Sequence, residues 1–124
     1  MKTLGWHALI ELSRCDPDRL RKVRGVREAM LEAARMAGGT VVRSVFHAFS
    51  PWGVSGVVVI AESHLSVHTW PEHGYAAVDV FSCSPSLNAT AVRQHLQKAF
   101  GARHASIQRL RRGPTQPRRS PRTR

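Results

Sequence analysis

The chain has 124 residues, 42% of them hydrophobic, with 19 Lys and Arg against 8 Asp and Glu and a formal net charge of +11. That length is one domain's worth with an ordinary core. Two cysteines exclude a disulfide framework, no apolar run approaches the roughly 18 residues of a membrane span, and no leader-like segment opens the chain, so a soluble cytoplasmic protein is expected.

In chain order, "TLGWHALIEL" (3–12) suits a first strand. "CDPDRLRKVRGVREAMLEAARMAGG" then predicts a helix. Asp16 can cap it, Pro17 suits its first position and Gly38-Gly39 can end it. Leu20, Val23, Val26, Met30 and Ala34 make its apolar stripe. "TVVRSVFHAF" (40–49) and "VSGVVVIA" (54–61) read as strands joined by the "SPWG" turn. "SHLSVHTW" and "YAAVDVFSC" (75–83) alternate like two more, around "PEHG". "SPSLNATAVRQHLQKAFG" predicts a second helix capped by Ser86 or Asn88, with Val92, Leu96 and Phe100 as its stripe and Gly101 as its stop. "RHASIQRL" (103–110) suits a last strand.

The order β-α-β-β-β-β-α-β predicts an α+β two-layer sandwich, an antiparallel sheet with both helices on one face. Dimerisation is a natural cover for the other face. Residues 111–124, "RRGPTQPRRSPRTR", hold six arginines and no acid, so residues 1–110 carry 13 basic and 8 acidic groups. This tail has no apolar residue and is expected to be disordered, with a core domain over 1–110. Counterion release could bring it to nucleic acid, but no zinc-finger, P-loop or basic-zipper pattern makes that the main function.

The stretch "VVVIAESHLSVHTWPE" (57–72) drives a buried-looking strand into a cluster of titratable groups. His64, Ser66 and His68 share a parity and could be the polar face of a half-buried strand. His47, His64, His68, His73 and Cys83 could be metal ligands, but they lack zinc-site spacing, so no metal is expected. A Ser-His-acid hydrolase would want a G-x-S-x-G elbow, which is absent. Another chemistry is open to Ser63. Its hydroxyl can attack the carbonyl of Glu62 to make an ester, and removal of the Ser63 α-proton then breaks that ester by elimination. The dehydroalanine left at the new N-terminus hydrolyses to a pyruvoyl group and ammonia. Such a step needs a strained peptide, an oxyanion donor and a nearby base.

"GVSGVVVIAESHLSVHTWPEHGYAAVDVFSC", with "LGWH" near the start, resembles the bacterial and archaeal S-adenosylmethionine decarboxylases, pyruvoyl-dependent enzymes of spermidine synthesis. The resemblance spans residues 1 to about 110 and leaves the arginine tail outside. It implies self-cleavage between Glu62 and Ser63 into a β chain (1–62) and an α chain (63–124), the latter beginning with the pyruvoyl group. It implies that Ser55 stabilises the oxyanion or ester and that His68 takes the α-proton of Ser63. Cys83 would be the proton donor to substrate after CO₂ leaves, and Phe49, Trp70 and Glu72 would bind substrate. The pyruvoyl carbonyl would condense with the substrate amine and act as an electron sink. The family's active site lies at a dimer interface, so a homodimer of αβ units is implied.

Ser63 and His68 are five residues apart, so strict alternation puts them on opposite faces. Either the backbone kinks or bulges near Ser63, or His68 serves the Ser63 of a partner subunit. "SCSPS" departs from the family's usual threonine before the cysteine and glycine after it. Two other readings stay open: a pyruvoyl-dependent arginine or ornithine decarboxylase, and an unprocessed binding or regulatory homologue.

Overall fold

A computed structural model of the protein describes residues 3–114. The elements are β1 (Gly5–Ser13), α1 (Val23–Met36), β2 (Val41–Ala48), β3 (Val54–Ile60), β4 (Ser63–Trp70), β5 (Tyr75–Ser82), α2 (Ala89–Ala99) and β6 (His104–Arg112). The six strands form one sheet in the order β2-β3-β4-β5-β1-β6, and every neighbouring pair is antiparallel. The α+β sandwich expected from the element order is the observed fold.

Period-two alternation makes the sheet two-sided. Ala8, Ile10 and Leu12 of β1, Val54, Val58 and Ile60 of β3, Leu65 and Val67 of β4, and Ala76, Val78 and Val80 of β5 point one way and are buried. Both helices cover that face. Helix α1 buries Val26, Ala29, Met30, Ala33 and Ala34, and α2 buries Ala89, Val92 and Leu96, with Phe100 just beyond its end. Helix α1 lies against β2, β3 and β4, whereas α2 lies against β1 and β6. No helix among the described residues is long and apolar enough to cross a membrane.

Among the described residues no layer covers the other sheet face. Val45, Val57, Val59 and Leu110 stand on it with relative exposures of 70%, 38%, 41% and 42%. It also carries His7, Glu11, Asp79, His64, Ser66, His68 and Trp70, so apolar and titratable groups are interleaved there.

Two expected boundaries move. Asp16 and Pro17 do not open α1: Asp16 Oδ1 accepts from the Asp18 N–H at 3.0 Å and caps a single 3-10 turn, Pro17–Arg19. The Leu20 carbonyl accepts from the Thr69 hydroxyl at 2.7 Å, so it is held by the sheet and α1 starts afresh at Val23. Strand β6 runs to Arg112, two residues beyond the expected end, because β1 offers pairing partners down to Gly5. Arg111 and Arg112 therefore belong to the sheet, and the rest of the expected tail from Thr115 onward lies outside the described residues. For α2, Asn88 and not Ser86 is the cap, accepting from the Ala91 N–H at 3.0 Å.

Candidate active site

The Glu62–Ser63 bond lies at the mouth of a tight hairpin. Ile60 pairs with Ser63, leaving Ala61 and Glu62 as the two loop residues. Two-residue hairpins favour primed turns, which place the first central residue at positive φ. Here Ala61 is not at positive φ and Glu62 is, at 60°. A non-glycine residue in that region costs on the order of 1 kcal/mol. The backbone distortion is thus in the turn, one residue before Ser63.

Strand β5 and its exit hold both sides of that bond. Ser63 lies directly opposite Ser82, and the Ser63 hydroxyl donates to Ser82 Oγ at 2.6 Å. Both are buried on the helix-side face, at 9% and 0% exposure. The Cys83 N–H donates to the Glu62 carbonyl at 3.2 Å. Cys83 is exposed, whereas burial pushes the Cys15 thiol up to about 11.

The opposite end of β4 gathers other residues. Ser55 and His68 are cross-strand partners, and Ser55 Oγ lies 2.5 Å from His68 Nδ1. The His68 ring centroid is 4.1 Å from that of Trp70 and 5.9 Å from that of Phe49. Trp70 in turn lies 5.3 Å from Tyr75, whose hydroxyl donates to Glu11. Burial, followed by the Glu11 contact, pushes the Tyr75 phenol up to about 12, so it stays a donor at neutral pH. Glu72 follows in the 3-10 turn Pro71–His73, which Gly74 ends at φ 58°, and its side chain is exposed. The turn is held from behind by Cys15, whose N–H donates to the Gly74 carbonyl at 2.8 Å. Gly56, beside Ser55, has a local reason: a Cβ there would come within 2.0 Å of the Phe46 ring.

The expected site residues therefore fall into two groups. Glu62, Ser63 and Cys83 sit at one end of β4; Ser55, His68, Phe49, Trp70 and, just beyond, Glu72 sit at the other. Strand β4 pairs without interruption with β3 and β5. At about 3.3 Å per residue, Ser63 and His68 are then roughly 16 Å apart, and alternation puts their side chains on opposite faces. The distortion near Ser63 is the left-handed Glu62; from Ser63 onward β4 pairs in continuous register, so that distortion does not bring the two side chains to one face.

Two groups at this junction were not among the expected site residues, Ser82 and the Cys83 backbone amide. Ser82 had one signal. It occupies the apolar parity of β5, after Ala76, Val78 and Val80, where a hydroxyl must find a buried partner. The amide had none, because its partner is set by strand pairing. Of the weighed metal ligands, His64 stacks on Phe81 at 5.6 Å and His73 is exposed. Among the described residues, no group of three or more His, Cys, Asp or Glu is placed to hold a metal ion.

Comparison with known proteins bears on this geometry. The profile of the family described as S-adenosylmethionine decarboxylase matches residues 6–113. The chain belongs to that family. It is 46% identical over 113 residues to the S-adenosylmethionine decarboxylase proenzyme of Thermodesulfovibrio yellowstonii, covering 91% of this chain and 84% of that one. It is 51% identical over 113 residues to the proenzyme of that name from Pelotomaculum thermopropionicum, covering 91% and 90%. The crystal structure of the adenosylmethionine decarboxylase of Aquifex aeolicus superposes with a TM-score of 0.83 at 35% identity, over 98% of this chain and all of that one.

Proposed function

We propose that this member of the S-adenosylmethionine decarboxylase family cleaves itself between Glu62 and Ser63 and decarboxylates S-adenosylmethionine with the pyruvoyl group so formed. The observation that carries the reading is the Glu62–Ser63 junction, with a left-handed Glu62, its carbonyl on the Cys83 N–H and the Ser63 hydroxyl buried beside it. Those features fit a serine that becomes a cofactor: strain in the ground state, a donor where oxyanion charge develops, and a nucleophile shielded from water.

Ser63 Oγ attacks the Glu62 carbonyl, and the Cys83 amide supports the negative charge on the carbonyl oxygen. Removal of the Ser63 α-proton requires a base. His68 of the same chain is about 16 Å away along an unbroken strand, so the base is His68 of the partner subunit, oriented by that subunit's Ser55. A two-fold axis between the open faces, running across the strands, reverses strand direction. It sets the Ser63 end of one β4 against the His68–Trp70 end of the other. The apolar Val45, Val57 and Val59 of the open face supply area for such a homodimer.

When formed, the pyruvoyl group supplies the electron sink for loss of CO₂. The protein's own residues do the rest. Phe49 and Trp70 present aromatic faces, which attract a sulfonium cation in a protein whose net charge does not. Glu72 accepts from the ribose hydroxyls in this reading, and its exposed carboxylate beside Trp70 supports that role. Cys83, exposed at the Ser63 end, returns a proton to the substrate carbon.

The arginine or ornithine reading is not favoured, since relatives at 46% to 51% identity carry the S-adenosylmethionine decarboxylase name. A cytoplasmic location accords with this reading. Denaturing electrophoresis and intact mass should show fragments meeting at 62/63, the larger with a blocked N-terminus. Carboxyl-labelled S-adenosylmethionine should release labelled CO₂. A single uncut chain under all conditions, or release from labelled arginine or ornithine alone, would overturn the proposal.

A further inference from the structure

The Ser63 hydroxyl meets a built arrangement on the helix-side face, formed by Ser82 and Ser84 on either side of Cys83. Its acceptor, Ser82 Oγ, is fully buried and fixed by two further bonds. It accepts from the Ser84 N–H at 2.9 Å and donates toward the Ser84 carbonyl at 3.2 Å. That carbonyl is pinned in turn by the Trp6 indole N–H at 2.9 Å. The line Ser63 O–H, Ser82 O–H, Ser84 C=O therefore has one direction, and its far end is anchored on β1.

We infer that Ser82 is a positioning residue for self-cleavage, which holds the Ser63 hydroxyl with its proton turned away and its lone pairs free for the Glu62 carbonyl. This rests on the processing reading above. A free serine hydroxyl samples three staggered wells. A bond of 2.6 Å, near the short end of the O–H···O range, selects one of them. Because the Ser82 proton is already committed to Ser84, its oxygen can only accept from Ser63, and the chain of bonds makes it a better acceptor. The last residue of β5 and the one that follows it thus orient both reactants: the Ser82 side chain holds the nucleophile, and the Cys83 amide holds the carbonyl it attacks.

In the step itself the Ser63 Oγ–carbon bond to Glu62 forms and the carbon–nitrogen bond between Glu62 and Ser63 breaks. The proton lost by Oγ ends on the Ser63 nitrogen, so nothing else is consumed. Ser82 neither gains nor loses a proton overall.

The bland account is that two buried hydroxyls satisfy each other and any fold-compatible pairing would serve. The two accounts separate in the kinetics of cleavage by the full-length chain, followed by electrophoresis and intact mass from the first minutes after synthesis. Ser82→Ala removes the acceptor and should slow cleavage about tenfold or more. The accumulated chain should be amide-linked and resist neutral hydroxylamine, which cuts esters. Ser82→Thr keeps the hydroxyl and should cleave within about threefold of the wild-type rate. Should Ser82→Ala fail to fold by circular dichroism, Ser82→Cys replaces it; a poor acceptor of similar size, it should also cleave slowly. Cleavage of either variant at the wild-type rate would overturn the inference, as would Ser82→Thr that folds and is as slow as Ser82→Ala. Failure of the wild-type chain to cleave would instead defeat the processing reading.

Discussion

The two ends of β4 share a backbone and a sheet, yet they are built on different principles. At the Ser63 end the chemistry is in the backbone: a left-handed residue, a carbonyl on an amide, and a hydroxyl buried against the helix layer. At the His68 end it is in exposed or half-exposed side chains, an imidazole, two aromatics and a carboxylate on or beside the open face. The first end needs rigidity, because a peptide bond reacts only when strain and alignment are held against relaxation. The second needs a surface on which a substrate can lie. One strand's length separates the two ends.

Changes at the Ser63 end test the comparison hardest. Ser63→Ala should leave the chain whole and lower CO₂ release by at least about a thousandfold, since no nucleophile and no cofactor remain. Next in size is a test of how the ends meet. Chains carrying Ser63→Ala or His68→Ala alone should stay uncut. In a randomly mixed population about half of the His68→Ala chains find a partner with an intact His68, and that half should be cut. Absence of cutting in the mixture, with mixed dimers verified by mass, would break the comparison and return His68 to its own chain.

Cys83→Ala keeps the backbone amide and loses only the thiol. It should therefore still yield two fragments while kcat falls about a hundredfold, the range for one general acid. Loss of cleavage equal to loss of turnover would mean that the thiol and not the amide serves the Ser63 end. Glu62→Gly removes the left-handed penalty of about 1 kcal/mol, and cleavage should slow by up to about fivefold if that strain is relieved in the ester. Cleavage as fast as in the wild type would remove strain from the account.

The smallest effect separates the two thiols. At pH 8 iodoacetamide should modify Cys83 and spare Cys15, read by peptide mass. Burial raises the Cys15 pKa to about 11, so its folded state holds a proton that an unfolded thiol releases near 9. Its contribution to stability is thus full below pH 9 and lost as the pH rises toward 11.

Much of this was legible in the sequence because it is written in local periods. Alternation in "YAAVDVFSC" and the stripe of Val92, Leu96 and Phe100 need only neighbours two to four residues away. The motif around Ser63 named the residues at both ends of β4. The start of α1 differs from the expectation because its cause is distant: the Thr69 hydroxyl donates to the Leu20 carbonyl from across the fold. The β6 boundary moved for the same kind of reason, since β1 decided how far pairing would extend.

By itself, then, the sequence determined the order of elements, the face each strand turns to the core, and the identity of the chemical groups. Only tertiary structure decided which groups meet. Hydrogen-bond register in a sheet joins residues far apart in the chain, and so it set Ser82 against Ser63, the Cys83 amide against Glu62, and Ser55 against His68. The same register holds Ser63 and His68 a strand's length apart, and sequence spacing alone left open how that separation is bridged.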